Sequence, residues 1–583
     1  MYDDIFSHSF ALNFIFGFFF LISNILFTIC VNNDKKVKKI FFFGEYQPII
    51  IYFLIFCTYS VILNITVILT YKKLSIIVLS VFFLQFLYTL ANFRYLKSLQ
   101  YFSFGTDEKL IILVFLSLFL ISILPMSDAD SMSVYQYIPA TIYNEGLGKV
   151  NLTQNLEFVL LSNTEILLLL SSIFRSENLG SQLNLITLLF FVLIKFKNHK
   201  DFSLIMLSSP LIIYFISAQK LQLFFGIIFL LLFVLINKNL IKKKIEIFIF
   251  IILLTFYSSG KLSYILFAVP LYSYFFYKNL NHWRHIIFYS IISFIVIYIP
   301  LLSIKQIYFN NIFAPFFDNL LGHGMQSYNA FAHSIRSFEG WISDPTNVFL
   351  YIRPFISFDL AQISSSLGLI FLLMVFNLKL QKKTRYFPFL IIVLVLLTGQ
   401  ILPRYYFEAF LLLAFFFKPK NIFTKLLIYS QIVVIFSIAI IYIFISYVKM
   451  DVVRNKFDYM NKFTYSYFNS QQHKSDNLKG NILDFSLDRQ SIFFEKNIYS
   501  LRYINIMSLY NGNSNKELVD FVNQNSIDYF VVRSIKQIPK CILTEEIAKT
   551  YRKKAVRNFL VKLQKTEYKI LEIKDNMCNK MIK

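Results

Sequence analysis

Asp128 and Asp130 stand two residues apart in Pro125-Met126-Ser127-Asp128-Ala129-Asp130-Ser131, at the exit of an almost unbroken apolar run from Leu110 to Leu124. In extended chain, residues two apart point the same way, so both carboxylates can share a divalent cation such as Mg or Mn through oxygen ligands. Alternatively, one of them is a general base toward an acceptor hydroxyl. The plainer reading is that Ser127, Asp128 and Asp130 cap a helix beginning near Ser131, where carboxylates suit the positive end of the helix dipole. The spacing alone leaves these alternatives open. With 33 acidic residues against 57 basic ones, however, two acids at the rim of an apolar segment call for a specific role.

Other residues could carry chemistry. Lys220, Lys261 and Arg404 each follow or precede an apolar run, and Glu408 lies one turn after Arg404, close enough for the two simply to pair. Glu165 sits inside the apolar stretch 156–174, either as an acid near Asp128 or as a buried group hydrogen-bonded for structure. The segment 305–360 holds His323, His333 and Arg336 around a flexible Gly322-His323-Gly324, in the manner of a lid or an ordinary connector. Two His ten residues apart without a third ligand make a poor metal site.

The elements that must position these residues follow from composition. Of 583 residues, 57% are hydrophobic and 15% charged, with 70 Phe and 37 Tyr. That is too little polar surface for a soluble chain of this length, and many runs reach the roughly 18–20 apolar residues of a membrane helix. The fold class predicted is an all-α polytopic membrane protein of about 13–14 spans. Spans are expected near 10–31, 48–70, 74–93, 110–126, 182–197, 202–218, 221–237, 246–258, 262–277, 286–304, 361–378, 387–402, 405–418 and 425–447. Residues 156–174 are expected to be re-entrant or to lie on the surface. If they crossed, the most basic later loops would change sides.

The net charge of +24 is spread in short clusters between apolar runs, such as Lys35–Lys39, Lys242–Lys244 and Lys382-Lys383-Arg385. That is the pattern of cytoplasmic loops, not of a nucleic-acid surface. It places Asp128, Asp130, Lys220, Lys261 and Arg404 together on the outer face, where cations are not favoured. Only Lys72-Lys73 falls on the wrong side. The chain divides into a membrane module at 1–449, with external loops at about 127–181 and 305–360, and a polar tail at 450–583. The tail is expected to be a small external α/β domain, with a helix at Lys516–Gln524 and strands at Ile527–Val532 and Tyr568–Ile573. Cys541 and Cys578 can pair there if the tail faces an oxidising space.

Pro125-Met-Ser-Asp-Ala-Asp-Ser131, followed by Tyr135 and Pro139, resembles the first external loop of the glycosyltransferase C superfamily. Asn163-Thr-Glu165, Gln219-Lys220, Lys261-Leu-Ser-Tyr264 and Pro403-Arg-Tyr-Tyr-Phe-Glu408 are similar to motifs of one bacterial branch. That branch commonly carries a His near the position of Gln136. The resemblance implies an inverting enzyme in a bacterial inner membrane. It would move a sugar from a polyprenyl-phosphate donor to a lipid, polysaccharide or protein acceptor. Asp128 or Asp130 would be the base and Lys220, Lys261 and Arg404 the donor-phosphate ligands, with a groove between helices for the prenyl tail. Two rivals stay open. One is a polymerase or ligase using diphosphate-linked glycans, for which His323, His333 and Arg336 would matter most. The other is a lipid or glycan transporter, for which repeat symmetry and mid-membrane charges would be expected.

Overall fold

The computed structural model describes residues 9–98, 106–126, 131–146, 160–195, 200–314, 366–376, 386–398, 402–419, 421–456, 459, 480–485, 498–500, 515–532, 538, 541–553 and 565–576. The chain is mostly helical. Its main helices are α1 (Phe10–Asn33), α2 (Gln47–Thr70), α3 (Leu74–Ala91), α4 (Thr106–Ser122), α5 (Leu179–Lys195), α6 (Gln222–Asn237), α7 (Lys244–Ser259), α8 (Ile265–Lys278), α9 (Trp283–Ser293), α10 (Ile299–Phe309), α11 (Phe407–Phe416) and α12 (Ile422–Ile443). A widened turn, Phe294–Tyr298, joins α9 and α10 into one rod.

Among the described residues four helical stretches are long and apolar enough to cross a membrane: Phe10–Asn33, Gly44–Ala91, Leu280–Ile307 and Ile422–Lys449. The second folds back on itself at Tyr71–Lys73 into α2 and α3. Large apolar side chains such as Leu69, Ile76, Leu84, Phe288 and Leu426 are exposed on these stretches, as suits a lipid-facing surface. Several of their polar side chains donate back to a carbonyl one turn earlier. The Asn24 amide donates to the Phe20 carbonyl at 2.8 Å, Thr28 to Asn24 at 2.7 Å and Asn64 to Ser60 at 2.8 Å. In an apolar surround this spares the cost of an unpaired polar group.

The segment expected at 202–218 is not one helix. It breaks into Lys200–Leu207 and Leu211–Ile216 at Ser208-Ser209-Pro210, because Pro210 has no N–H and disfavours helix before it. Residues 156–174 are represented by two short buried helices, Asn163–Leu167 and Leu169–Ile173. Together they reach about 16 Å, half the ~30 Å of a hydrocarbon core. This fits a re-entrant piece packed on protein.

The helix ends sort the charges into two groups. Glu45 before α2 pairs with Lys238 after α6 at 3.4 Å. The Phe42 N–H donates to Glu246 of α7 at 3.3 Å, and Asn33 of α1 to the Tyr95 carbonyl beyond α3 at 3.2 Å. Lys35–Lys39, Arg94, Lys238 and Lys242–Lys244 therefore gather at one end. Lys220 precedes α6 and Lys261 follows α7, so both lie at the opposite end, where Ser75 at the start of α3 also donates to the Tyr143 hydroxyl at 3.0 Å. Lys72-Lys73 falls at this second end too, as the sequence reading accepted.

The tail has its own core. Strands β1 (Asn481–Asp484), β2 (Ile498–Ser500), β3 (Ile527–Val532), β4 (Ile542–Lys553) and β5 (Lys565–Asn576) form a sheet in the order β2-β1-β3-β5-β4. β1 pairs in parallel with β2 and β3, while β5 is antiparallel to β3 and β4. Helix α13 (Asn515–Gln524) buries Leu518, Val519 and Val522 against Leu483, Phe530, Val532 and Leu571. The last strand is longer than the expected 568–573, because it pairs along its whole length with β4. Cys541 is disulfide-bonded. Cys578, its expected partner, lies outside the described residues.

Candidate functional site

Two corners of the chain build the site, and each is held by buried polar side chains. The first is Ser217–Leu221, ahead of α6. The Gln219 N–H donates to Ser131 Oγ at 2.9 Å. Its side chain accepts from the Gly180 N–H at 2.9 Å and donates to Ser181 Oγ at 3.0 Å. Asn184 of α5 donates to the carbonyls of Phe215 (3.0 Å) and Lys220 (2.6 Å) and accepts from the Phe224 N–H at 3.1 Å. Buried polar groups must be paired, so this lattice fixes the backbone on both sides of Lys220.

Lys220 is 4% exposed, and its ammonium donates to the Tyr214 hydroxyl at 2.5 Å. Arg404 Nη1 donates to the same hydroxyl at 3.1 Å. The Arg404 carbonyl in turn accepts from Gln222 at the start of α6. Two residues 184 positions apart in sequence thus meet at one phenol oxygen.

The second corner is Ser259-Gly260-Lys261, at the end of α7. The motif Asn163-Thr-Glu165 is its bracket. Ser162 Oγ lies 2.7 Å from the Gly260 carbonyl, which Thr164 Oγ1 also contacts. Asn163 donates to Ser259 Oγ at 2.6 Å and accepts from Asn64 of α2 at 2.7 Å. Glu165 accepts from the Ser162 N–H at 2.8 Å and lies 2.5 Å from Ser162 Oγ, closing a capping box on its own short helix. Glu165 is thus buried and hydrogen-bonded within its own turn; its other reading turns on Asp128, which lies outside the described residues.

Tyr405 joins the corners. The Lys261 ammonium lies 5.0 Å from the centre of its ring and the Arg404 guanidinium 5.4 Å, both within cation–π reach. Lys261 and Arg404 thus share one ring, while Lys220 meets Arg404 at the Tyr214 hydroxyl. The three cations picked out in the sequence therefore converge. Glu408 does not pair with Arg404 as the plain alternative had it. It is 0% exposed, and neither carboxylate oxygen has a hydrogen-bond partner among the described residues. Arg404 turns instead to Tyr214 and Tyr405.

Gln136 is a tie between segments. It donates to the Glu177 carbonyl at 2.8 Å and accepts from Ser171 Oγ at 3.1 Å. Glu177 also forms a fully buried ion pair with Lys456 at 2.7 Å, which anchors the start of the tail to the helices. Asp128, Asp130, His323, His333 and Arg336 lie outside the described residues. Among the described residues no group of three or more His, Cys, Asp or Glu could hold a metal.

Sequence reasoning missed Tyr214 and Lys305. Lys305 stands near the end of α10, where its ammonium donates to the Ala314 carbonyl at 2.5 Å and its charge reaches Glu165. It carries the same signal as Lys220 and Lys261, a cation at the end of an apolar run on the minority side. No family model, curated protein or solved structure matches the chain.

Proposed function

We propose that the chain is a polytopic glycosyltransferase of the C type, with about 13–14 spans in a bacterial inner membrane and the tail domain on the outer side. It would move a sugar from a polyprenyl phosphate to a lipid, polysaccharide or protein acceptor. The observation that carries this reading is the convergence of Lys220, Lys261 and Arg404, from three separate segments of the chain, around Tyr214 and Tyr405 at one end of the bundle. Such a cluster suits a phosphate delivered at the membrane surface. Its position opposite the Lys35–Lys39 and Lys242–Lys244 loops fits an outer-face site under the positive-inside rule. The disulfide at Cys541 fits a tail in an oxidising space.

In this reading an acceptor hydroxyl oxygen attacks the anomeric carbon of the sugar and gives its proton to Asp128 or Asp130. The bond from that carbon to the phosphate oxygen breaks on the opposite side, so the configuration inverts. The electron pair leaves with the polyprenyl phosphate, whose charge Lys220, Lys261 and Arg404 stabilise. A divalent cation, Mg or Mn, would be held by the carboxylate oxygens of Asp128 and Asp130. Ser131, which follows Asp130 in the sequence, is tied to the Lys220 corner through Gln219. Charges that gather at a bundle end, not at its middle, weigh against the transporter.

The test is mass spectrometry of surface glycans from cells carrying wild type, Asp128→Asn or Asp130→Asn at matched expression. Loss of one sugar with accumulation of its polyprenyl-linked donor is expected. An unchanged glycan profile in both variants would return the acidic stretch to a helix cap. The polymerase reading and His323, His333 and Arg336 would then come forward.

A further inference from the structure

A groove with a cavity volume of about 430 Å³ opens between α6, α8 and the helix Tyr386–Leu397, at the end of the bundle away from Tyr214 and Tyr405. Phe233 and Tyr274 each stand one turn before the end of their helix, α6 and α8, and Tyr386 and Phe387 begin the third. The Phe387 ring lies 4.9 Å from that of Phe233 and 6.1 Å from that of Tyr274, centre to centre. Leu390 and Val393 continue the wall. From Tyr386 to Val393 the helical rise is about 10 Å, so the groove runs from the bundle end into the apolar layer. Tyr386, Leu390 and Val393 stay exposed, and none of the described residues covers them.

The mouth of the groove is basic. Lys278, the exposed last residue of α8, holds its ammonium 5.9 Å from the centre of the Tyr274 ring. The tight turn Leu280–His282 returns the chain as α9, where the Arg284 guanidinium lies 5.4 Å from the Trp283 ring. Lys418, also exposed, follows Phe416, whose ring meets that of Phe233 edge-on at 5.6 Å. No lining residue of the groove is acidic. Of the acids at this end, Glu45 pairs with Lys238, and Glu246 accepts from the N–H groups of Phe42, Lys242 and Lys243. Lys278 also suits the negative end of the α8 dipole, which accounts for the charge but not for the groove beside it. A dry apolar cavity of about 150 Å³ holds one six-carbon ring, so a groove of 430 Å³ takes on the order of 17 carbons, one acyl chain.

We propose that this groove seats one acyl chain of an anionic glycerophospholipid, with the lipid phosphate at Lys278 and the aromatic rings at headgroup level. The second acyl chain stays in the bilayer. The site needs a bilayer around the helices but no sugar transfer, and it shares no residue with the three converging cations.

The test uses the purified full chain, delipidated in detergent and titrated with dioleoylphosphatidylglycerol or dioleoylphosphatidylcholine under native mass spectrometry. The first equivalent of phosphatidylglycerol should bind about fivefold more tightly than that of phosphatidylcholine, the worth of one basic residue at an anionic lipid surface. Lys278→Met should remove this preference, and Lys278→Arg should keep it. Val393→Trp fills the groove and should remove the first equivalent of either lipid. Both positions are exposed, so neither substitution disturbs the core. The proposal is overturned if the two lipids bind wild type alike, if Lys278→Met keeps the preference, or if Val393→Trp still holds the first equivalent. A lipid seated instead at the Lys220, Lys261 and Arg404 end would ignore both substitutions and give those last two results. Displacement of phosphatidylglycerol by inorganic phosphate at matched concentration would mark a free-anion site and also overturns it.

Discussion

Tyr214→Phe removes a single oxygen and tests whether that oxygen holds the site together. The hydroxyl accepts from Lys220 at 2.5 Å and from Arg404 at 3.1 Å. The Lys220 ammonium also lies 5.0 Å from the centre of the Tyr214 ring, a contact that Phe keeps. Each hydrogen bond to a charged group contributes about 1.5–3 kcal/mol, and two that share one acceptor add less than their sum. We expect a destabilisation of about 2–4 kcal/mol, read as a lowered Tm of the detergent-solubilised protein at a fixed scan rate. Phosphate should narrow the gap, because an anion offers both cations the acceptor they have lost. A variant that melts with the wild type, and gains no more from phosphate, would refute the claim that Tyr214 pins two cations at one point.

Asn163→Leu removes one hydrogen bond from each of Asn64 and Ser259, which keep only their bonds to the Ser60 and Phe256 carbonyls, at a cost of about 1–3 kcal/mol; a Tm equal to wild type would show that the bracket on Lys261 is not needed. Lys456→Met leaves Glu177 buried without its ion pair and should cost about 3–5 kcal/mol. Adding Glu177→Leu should recover most of this loss in the same thermal assay, and a double variant as unstable as the single would contradict it. Gly180→Ala would place its Cβ 2.7 Å from Gln219 Oε1 and 2.8 Å from the Gln219 carbonyl. The Gln219-Lys220 corner must shift, at about 1–3 kcal/mol, and phosphate binding should weaken even at temperatures where the variant is fully folded.

Much of the architecture is legible because membrane helices follow simple rules of length and loop charge. The loops around Lys35–Lys39 and Lys242–Lys244 share one end of the bundle, and Lys220 with Lys261 the other, as their spacing along the chain implies. The short pair Asn163–Leu167 and Leu169–Ile173 betrayed itself through Glu165 and Asn163, which have no place facing lipid. The break at Pro210 went unread because hydropathy stays high through Ile212–Ile216. Strand β4 is unreadable for another reason. Thr544-Glu545-Glu546-Ile547 carries edge-strand charges with no clean alternation, and its pairing with β5 decides it. The convergence at Tyr214 was beyond reach, since it joins residues 190 positions apart through packing alone. Lys305 was hidden by lying where a span passes into a loop.

A cationic cluster that handles a lipid-linked sugar should do so in the isolated protein. Purified protein in proteoliposomes should be incubated with a lipid extract of its own source membrane and followed by mass spectrometry. Wild type should consume one polyprenyl-phosphate sugar and release the free polyprenyl phosphate, and Arg404→Met should slow this by about tenfold or more. If no lipid-linked sugar is consumed, or if Arg404→Met turns over at the wild-type rate, the transferase reading of this site is wrong.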